Sequence, residues 1–477
     1  MAAEEEWPSA PTPRRRAFIG GAAASPSPSS IKGEWERRGG VVCVCGDRIV
    51  ASPAPPQPHH NVQPGRRKIL IPTISAVTYN ILCEAYVTDR SFPPDTNPKA
   101  HLAWEGREGK LLEELGAYAA DLLFLQEVQA EAWGEGGDGG SRPGALCPAL
   151  RAQGYEGTWF WSAPGASLKP RRGAPRVGPA LLVRSARFRV RARAAIAFRH
   201  ARCAADLSGG HEPTAALLAG CRDGAVAVFL EDKTTGATLL AASVHVNWDY
   251  RTPDLKVLQV AALMAELRAF WEGAVGGGSG ASGLPPLILG GDFNSLPLDR
   301  PSNEAPGAPS CGGLPSGAYE LLTTGRLAPG HPHHPARQRG GAAGVTFSTA
   351  GWGALASARA VAGGRAAAPA ACTRPRGAAC GQVGAAEPAL TTRTTQFEGT
   401  LDYIFVSPAH WRVTGVLEDP WVDEKEMDEK ESGEGEDEGG TASASHPPTP
   451  SLAAFPPTPN QAWPSDHLAV GAILEPL

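Results

Sequence analysis

Polar residues with the chemistry of an active site stand where several apolar segments of this chain end. In the stretch PLILGGDFNSLP (286–297), an apolar run is followed by two glycines and then by Asp292 and Asn294. A turn would explain this stretch by itself, because Gly, Asp and Asn are common turn residues. The same change from apolar to polar recurs along the chain and defines eight candidates: Asn80, Glu127, His245, Asp292, Asn294, Asp402, Asp466 and His467.

These residue types suit the hydrolysis of a phosphate ester with the help of a divalent metal ion. Mg²⁺ prefers oxygen ligands and keeps several waters, so one or two carboxylates are enough to bind it. A further carboxylate can act as general base on a water, and amides and imidazoles can stabilise the charge on the phosphate. Zinc is not expected, because no set of Cys and His has the usual spacing of zinc ligands.

Each candidate also has an ordinary explanation. Glu127 could be a solvated residue that begins a loop, and His245 could be a core histidine bonded to the backbone. Asp402 could pair with an arginine, and Ser-Asp-His at 465–467 could form a turn or a helix cap. The recurrence at six places along the chain favours a function over six separate coincidences.

The elements that carry these residues alternate between helices and strands, and strands dominate later. Apolar spacing predicts helices at 105–120, from Val257 to Trp271, and at 317–327 with an end at Gly325. This order favours an α/β domain of layered sheets covered by helices. Strands are predicted in the stretch before Asp292 and at 74–86, 121–128, 179–184, 225–231, 237–248, 399–407, 411–417 and 467–474.

Composition indicates one folded domain with long interruptions. Gly (57) and Pro (45) make up about a fifth of the 477 residues and cluster outside the periodic segments. We therefore expect a disordered Pro/Ser/Ala-rich segment at 1–72 and a single domain at 73–477. Low-complexity insertions are expected at about 299–314, 328–390 and 418–462.

The charge of the chain is uneven. The formal net charge is −5, but residues 418–438 contain twelve acidic residues and two lysines. The rest of the chain is mildly basic, which is compatible with a polyanionic substrate.

Cysteine spacing and hydropathy favour a location in the cytoplasm or nucleus. Nine cysteines without paired spacing indicate reduced thiols, and no apolar run is long enough to span a membrane. The amino terminus lacks the apolar core of a secretory signal. Its arginines and serines give weak support for an organelle, and the glutamates at 4–6 argue against one.

Six motifs in order make the chain similar to the endonuclease/exonuclease/phosphatase superfamily: TYNIL, LQEV, VHVNWD, GDFNS, LDYIFVS and PSDH. Within it, W-x-x-R-x-x-K-L at 104–111, SGAYELLTTG and FEGTLDYIF most resemble the carbon-catabolite-repressor-type deadenylases and their relatives nocturnin, angel and the 2',5'-phosphodiesterase. The resemblance covers about 74–477 apart from the insertions. It implies a four-layer αββα sandwich of the DNase I type, with the site at one edge of two packed sheets.

The resemblance also implies roles for the metal-binding and nucleophile-activating residues. Glu127 would be the Mg²⁺ ligand, with Asn80 close to the metal and phosphate and Asp466 supporting the metal site. Mn²⁺ would be a substitute for Mg²⁺. Asp292, helped by Asn294, would orient and deprotonate the attacking water.

Other residues would bind the phosphate and the base. Asp402 would hold His467, which contacts the scissile phosphate, and His245 would bind a phosphate oxygen. Relatives that degrade poly(A) hold the terminal adenine between a Phe and a Pro. Phe397 stands at the position of that Phe, and Tyr250 stands at the position of the Pro. Tyr250 could stack on a base or be an ordinary surface aromatic, and both explanations stay open.

The sequence differs from the usual family motifs at positions that are expected to contact the substrate. The usual DGCA before the strand at 180 is absent, and the usual DNVAL reads RDGAVAV at 222–228. The second His of the HxHWD motif is Asn247, a candidate substrate-binding residue. Hydrolysis is therefore better supported than the identity of the substrate.

The leading hypothesis is an Mg²⁺-dependent 3'-5' exoribonuclease that acts on poly(A) 3' ends and releases 5'-AMP. Basic residues at 169–176, Arg251 and Lys256 could follow the RNA backbone. The alternative is a phosphatase or phosphodiesterase for small nucleotides such as NADP(H) or 2',5'-oligoadenylate. The third hypothesis is a scaffold that keeps the fold but has no catalytic activity. No amino-terminal leucine-rich repeat is present, which complex-bound deadenylases use for docking, so protein partners are not predicted.

Overall fold

The computed structural model of the chain describes residues 16–19, 72–93, 99–135, 146–161, 176–275, 283–298, 314–340, 344–362, 387–421 and 451–477. Most of the segment predicted to be disordered lies outside these residues. Large parts of the three predicted insertions and of the basic stretch at 169–176 also lie outside them. The bounds predicted for the domain and its insertions stay predictions.

Two β-sheets form the centre of the domain. The strands are β1 (Phe18–Ile19), β2 (Ile74–Asn80), β3 (Leu122–Gln129), β4 (Tyr155–Trp159), β5 (Val177–Arg184), β6 (Phe188–Ala197), β7 (Gly224–Asp232), β8 (Thr238–His245), β9 (Leu287–Asp292), β10 (Arg326–Leu327), β11 (Phe347–Ser348), β12 (Ala356–Ser357), β13 (Thr392–Arg393), β14 (Glu398–Gly399), β15 (Asp402–Val406), β16 (Trp411–Leu417) and β17 (Val470–Pro476). One sheet has seven strands in the order β1-β16-β17-β2-β3-β5-β4, and the other has six in the order β12-β15-β9-β8-β7-β6. Two short pairs, β10 with β11 and β13 with β14, lie outside these sheets.

Helices connect the strands and cover the sheets. The α-helices span Lys99–Leu102, Trp104–Tyr118, Ala130–Trp133, Leu146–Ala152, Ala204–Ser208, Glu212–Gly220, Pro253–Ala274, Gly317–Thr324, Pro335–Arg339 and Ala358–Ala362. Short 3-10 helices span Glu84–Tyr86 and Phe198–His200. Among the described helices, none combines the length and the apolar character needed to cross a lipid bilayer.

Three apolar clusters separate four layers. Phe124, Ile288 and Ile404 belong to the cluster between the two sheets. The helix Pro253–Ala274 packs in a second cluster on the outer face of the six-stranded sheet. The helix Trp104–Tyr118 packs in a third on the outer face of the seven-stranded sheet. Central strands buried on both faces read as continuous apolar runs in the sequence. The predicted four-layer αββα sandwich is confirmed.

Strand pairing places four residues in one row at the edge of the six-stranded sheet. Asp292 at the end of β9 pairs with Asp402 on β15 and with His245 on β8. His245 pairs in turn with Gly224 on β7. Neighbouring strands lie about 4.8 Å apart, so the side chains of such a row are within reach of one another.

The two glycines before Asp292 allow its strand to pack closely. A Cβ on Gly290 would lie 2.6 Å from Cγ of Phe124, on the other sheet. A Cβ on Gly291 would lie 2.3 Å from the carbonyl oxygen of Val244. These glycines are therefore required by close packing, and a turn is only part of their explanation.

Order extends into segments whose composition predicts disorder. Phe18 and Ile19 of β1 pair with β16, although they belong to the segment predicted to be disordered. Phe455 packs against Trp421 and Trp463, within and next to a predicted insertion. Composition averaged over a long segment hides the few aromatic and aliphatic side chains that attach it to the domain.

Candidate active site

Asp292 lies at the centre of the predicted residues. Its Oδ2 accepts a hydrogen bond from Nδ2 of Asn80 at 3.1 Å, and its Oδ1 accepts one from the backbone N–H of Asn294 at 2.8 Å. Oδ2 also lies 3.6 Å from Nε2 of His245 and 3.7 Å from Nε2 of His467. Asp292 is buried, and the surrounding donors hold its carboxylate in one orientation.

His467 and Asp402 form a buried pair. Nδ1 of His467 lies 2.8 Å from Oδ2 of Asp402, and the same oxygen accepts a hydrogen bond from Oγ1 of Thr391 at 2.6 Å. Burial by itself lowers the pKa of His467, but the charges of Asp402, Asp292 and Asp466 outweigh burial and raise this pKa well above its usual value. A protonated imidazole donates through both nitrogens, so Nε2 can donate to an anionic group in the site.

Glu127 lies on the other side of Asn80. Its Oε1 accepts a hydrogen bond from Nδ2 of Asn80 at 3.1 Å, and its Oε2 accepts one from the backbone N–H of Cys83 at 2.8 Å. The pairing of β3 with β5 shifts its register between Leu125 and Val128, and the φ of Glu127 is +58°. Such a bulge re-aims a side chain, and here it directs the carboxylate of Glu127 toward Asn80.

Backbone strain is concentrated at this site. Of the five non-glycine residues with positive φ among the described residues, three are Leu82, Glu127 and Asn294. This conformation costs roughly 1–3 kcal/mol per residue and persists only where neighbours hold it. Oδ1 of Asn80 accepts from the N–H of Leu82 at 3.1 Å, and Nδ2 of Asn294 donates to the carbonyl of Val246 at 2.9 Å. The fold thus maintains strained conformations where the candidate residues lie.

The donor groups fit a hard divalent cation. Burial raises the pKa of the Glu127 carboxyl, and the charge of Asp466 raises it further, a repulsion that a cation would relieve. In the described part of the chain, Asp292, Asp402 and His467 form the one group of three whose ligand atoms all lie within 4.8 Å of one another. The hydrogen bond between Asp402 and His467 already engages two of these groups. The predicted metal residues Glu127 and Asn80 contact each other directly.

The predicted substrate-binding residues lie in loops. Phe397 is 44% exposed and Tyr250 is 80% exposed. The side chain of Asn247 is engaged, since Nδ2 donates to Asp223, which directly precedes β7, at 3.3 Å and Oδ1 accepts from the N–H of Asp249 in its own loop at 2.9 Å. Asn247 therefore braces the loop that presents Tyr250.

The basic residues expected to follow an RNA backbone are also engaged. The guanidinium of Arg251 forms two hydrogen bonds with Asp249, each of 2.8 Å. The ammonium of Lys256 donates to the carbonyl of Asn294. Lys256 thus supports the strained turn after Asp292.

Three bracing side chains were not among the predicted site residues. Thr391 binds a residue eleven positions away, and Ser465 donates at 2.6 Å to the carbonyl of Asn80, 385 positions away. Arg107 donates to the carbonyl of Pro464, 357 positions away. The W-x-x-R-x-x-K-L motif was the available signal for Arg107.

Residues 77–467 match the Endonuclease/Exonuclease/phosphatase family. The chain belongs to this family. The match begins in β2 and ends at His467, so it contains every residue of the candidate site. The family predicted from the motifs is confirmed, and the acidic and histidine cluster of the site is a candidate metal centre of a family member.

Several curated relatives are similar over large parts of the chain. The Ccr4 3'-5'-exoribonuclease subunit of the CCR4-Not complex from Phaeosphaeria nodorum is 26% identical over 95% of this chain and 68% of its own length. The corresponding protein from Coccidioides immitis is 27% identical over 54% of this chain and 35% of its own length. The CCR4-NOT transcription complex subunit 6-like-B of Xenopus laevis is 26% identical over 74% of this chain and 59% of its own length. These relatives agree with the prediction of a hydrolase that acts on phosphodiester bonds of nucleic acid.

Solved structures share the fold. The structure of ANGEL2, described as a 2',3'-cyclic phosphatase, in complex with adenosine-2',3'-vanadate superposes with a TM-score of 0.53 at 19% identity. The similarity covers 87% of this chain and 99% of that one. At this level of identity the similarity concerns the fold, and it agrees with the predicted sandwich.

Proposed function

We propose that the chain is a divalent-metal-dependent 3'-5' exoribonuclease that removes adenosine nucleotides from poly(A)-like RNA. The observation that carries this proposal is the position of Asp292. It lies between Asn80 and Asn294 and next to the Asp402–His467 pair. Attack of water on a phosphate requires a base, a charge-stabilising donor and phosphate-binding groups within reach of one another, and these residues supply all three.

In the proposed reaction, Asp292 orients and deprotonates a water, and Asn294 fixes the turn that carries this carboxylate. The water oxygen forms a bond to the phosphorus of the terminal nucleotide, and the bond from phosphorus to the 3' oxygen of the preceding nucleotide breaks. That oxygen takes up a proton from solvent and leaves as a 3' hydroxyl, and Asp292 returns the proton of the attacking water to solvent. The products are 5'-AMP and an RNA that is one nucleotide shorter. His467, held by Asp402, and His245 bind the phosphate oxygens on which negative charge develops.

Glu127, Asn80 and Asp466 are the residues we propose to hold Mg²⁺, with Mn²⁺ as a substitute. When bound, such an ion withdraws charge from the phosphate and orients it. Oxygen donors are the preferred ligands of both ions. The hydrogen bonds from Asn80 and Cys83 hold the Glu127 carboxylate in place before any ion binds.

The proposed RNA substrate rests on exposed aromatic side chains and on the relatives. Phe397 and Tyr250 are exposed and available for stacking on the terminal base, which contributes roughly 1–3 kcal/mol per base. The relatives named as 3'-5'-exoribonuclease subunits support RNA over other phosphate esters. The location in the cytoplasm or nucleus stays a prediction, and no protein partner is proposed.

A phosphatase or phosphodiesterase acting on small nucleotides is the second candidate. It is favoured by the differences from the usual family motifs at Asn247 and at 222–228, which lie among the residues expected to contact the substrate. The similar fold of a protein described as a 2',3'-cyclic phosphatase is also compatible with it. The candidate catalytic residues would keep their roles in this reaction.

A side-by-side turnover assay with Mg²⁺ separates these candidates. The substrates are 5'-labelled A20 RNA, a mixed-sequence RNA of equal length, 2',5'-oligoadenylate and NADP(H), with the Asp292→Ala variant as blank. Stepwise shortening of A20 alone is the expected result. Phosphate release from NADP(H), or cleavage of 2',5'-oligoadenylate with A20 intact, would support the second candidate. No turnover of any substrate would contradict both and favour a scaffold.

A further inference from the structure

Arg107 is a fully buried arginine with no role among the predicted catalytic residues. It lies in the first turns of the helix Trp104–Tyr118 and is only 1% exposed. Its guanidinium lies 5.3 Å from the ring centre of Trp104, and its Nε donates to the carbonyl of Leu102 at 2.8 Å. Burying a guanidinium is costly unless its donors are satisfied, so its partners indicate why it is there.

The remaining hydrogen bonds of Arg107 reach two separate loops. Nη1 donates to the carbonyl of Ile81 at 3.0 Å and to the carbonyl of Pro464 at 3.1 Å. Nη2 donates to the carbonyl of Leu82 at 2.9 Å. One planar group therefore connects the loop after β2 with the loop before β17.

Both loops carry groups of the candidate site. The first follows Asn80 and includes Cys83, whose N–H binds the carboxylate of Glu127. The second continues directly from Pro464 into Ser465, Asp466 and His467. Ser465 provides another link between the same loops, because its Oγ donates to the carbonyl of Asn80 at 2.6 Å.

We propose that Arg107 is a positioning residue that sets the spacing between these two loops. It thereby brings the proposed metal-binding residues and His467 to the same phosphate. This inference rests on the proposed function, which identifies the site as a phosphodiesterase site. Lysine cannot replace it, because one ammonium group on a flexible chain does not reproduce a rigid planar set of donors. The role requires the geometry of the guanidinium as well as its charge.

The test is the Arg107→Lys variant, measured first without substrate. Binding of Mn²⁺ is followed by electron paramagnetic resonance of the free ion, and kcat and KM are then measured on A20 RNA with Mg²⁺. We expect Mn²⁺ affinity and kcat to fall by about 10- to 100-fold each, as for other residues that orient metal ligands. KM should change by less than about threefold, because stacking of the base on Phe397 and Tyr250 is untouched.

Arg187→Lys is the matched control. Arg187 is also largely buried and also connects separate segments, through Asp121 at 2.8 Å, Asp232 at 3.1 Å and the carbonyl of Thr73. These partners lie at the ends of the strands opposite the candidate site. We expect a lower Tm for this variant with unchanged Mn²⁺ affinity and kcat.

Several outcomes would overturn the proposal. One is a folded Arg107→Lys variant that binds Mn²⁺ with wild-type affinity. Another is an Arg187→Lys variant that loses as much Mn²⁺ affinity and kcat as Arg107→Lys does. If Arg107→Lys does not fold, Ser465→Ala removes the other link and must lower Mn²⁺ affinity and kcat. Wild-type values in Ser465→Ala would then overturn the proposal. A loss of Mn²⁺ affinity in Arg107→Lys, with a wild-type protein inactive on RNA, would support the role of Arg107 and overturn the proposed function.

Discussion

Asn80 connects the two sheets at the level of single residues. Its amide nitrogen donates to the carboxylates of Glu127 and Asp292, each at 3.1 Å. Glu127 belongs to β3 in one sheet and Asp292 to β9 in the other. An amide holds two carboxylates near each other without adding charge, and it leaves their remaining lone pairs for other donors.

At the same scale, Asp292→Ala should lower kcat by about a thousandfold or more on the active substrate. The change removes the proposed general base but no apolar packing, so the Tm should stay within a few degrees of wild type. Steady-state kinetics and thermal unfolding check the two expectations. Glu475→Gln, which removes a surface carboxylate paired with Arg412, is the control with unchanged kcat. Near-native turnover by Asp292→Ala would contradict the site assignment.

Thr391 supplies a second test at the residue scale. Its Oγ1 donates to Oδ2 of Asp402 at 2.6 Å, whereas Oδ1 of this buried carboxylate has no hydrogen-bond partner among the described residues. Thr391→Val should lower kcat by about tenfold, since a hydrogen bond to a charged group contributes roughly 1.5–3 kcal/mol. Without it, the Asp402 carboxylate would be held by His467 alone and would orient that ring poorly. Thr391→Ser keeps the hydroxyl and should restore activity. Equal kcat for the Val and Ser variants would show that the hydroxyl does not position Asp402.

At the scale of secondary-structure elements, the facing side chains of β3, β8 and β9 determine how closely the two sheets pack beneath the site. Gln126 on β3 donates from Nε2 to Oγ of Ser243 on β8 at 3.2 Å. Phe124 on β3 packs over Gly290 on β9, where a Cβ would meet the ring at 2.6 Å. The spacing of the sheets therefore depends on the absence of one side chain, and this spacing lets Asn80 reach Asp292.

Gly290→Ala should for this reason destabilise the domain by about 1–3 kcal/mol, the usual cost of overpacking a core. It should also lower kcat, because the added methyl pushes β9 and Asp292 away from the opposite sheet. Urea unfolding and kinetics measure the two effects. Gly109→Ala is the control, since no atom lies within 4 Å of its Cβ position in an exposed part of a helix. That variant should gain up to about 1 kcal/mol from helix propensity, and an equal gain in Gly290→Ala would refute the packing argument.

A buried carboxyl group connects distant parts of the whole molecule. Glu387 accepts hydrogen bonds from Tyr319 at 2.8 Å and from Ser357 at 2.9 Å. It thereby connects the segment before β13 with the helix Gly317–Thr324 and with β12. Burial raises the pKa of Glu387 above its usual value.

This raised pKa predicts a pH dependence of stability. The folded protein retains the proton of Glu387 at pH values where the unfolded chain has lost it, so the free energy of unfolding falls as pH rises above about 4.3, the usual value of a free Glu. The fall ends once pH exceeds the raised pKa. Glu387→Gln should remove this contribution, because an amide does not titrate. Urea unfolding at a series of pH values should show curves for wild type and variant that diverge through this window, and parallel curves would contradict the prediction.

Predictability differed between the residues proposed to perform chemistry and those proposed to position them. Asp292, His245 and Asp402 were predicted because each ends or begins an apolar run. The structure brings them together at one sheet edge, and their roles stay predictions. Thr391 was missed because hydroxyl groups that brace loops occur everywhere on protein chains. Arg107 stood in the W-x-x-R-x-x-K-L motif but was given no role. The prediction that Asn247 binds substrate stays a prediction, and its side chain hydrogen-bonds Asp223 and Asp249.

The sequence by itself indicated the strands that carry the candidate residues, the longest helices, the family and the set of polar residues at strand ends. These properties are local, since apolar periodicity and short motifs span a few residues each. The tertiary structure alone decided that one amide joins Glu127 to Asp292, that Glu127 lies in a bulge, and that Arg107 links two loops. Their partners lie tens to hundreds of positions apart, and only the pairing of strands and the packing of two sheets bring such positions together.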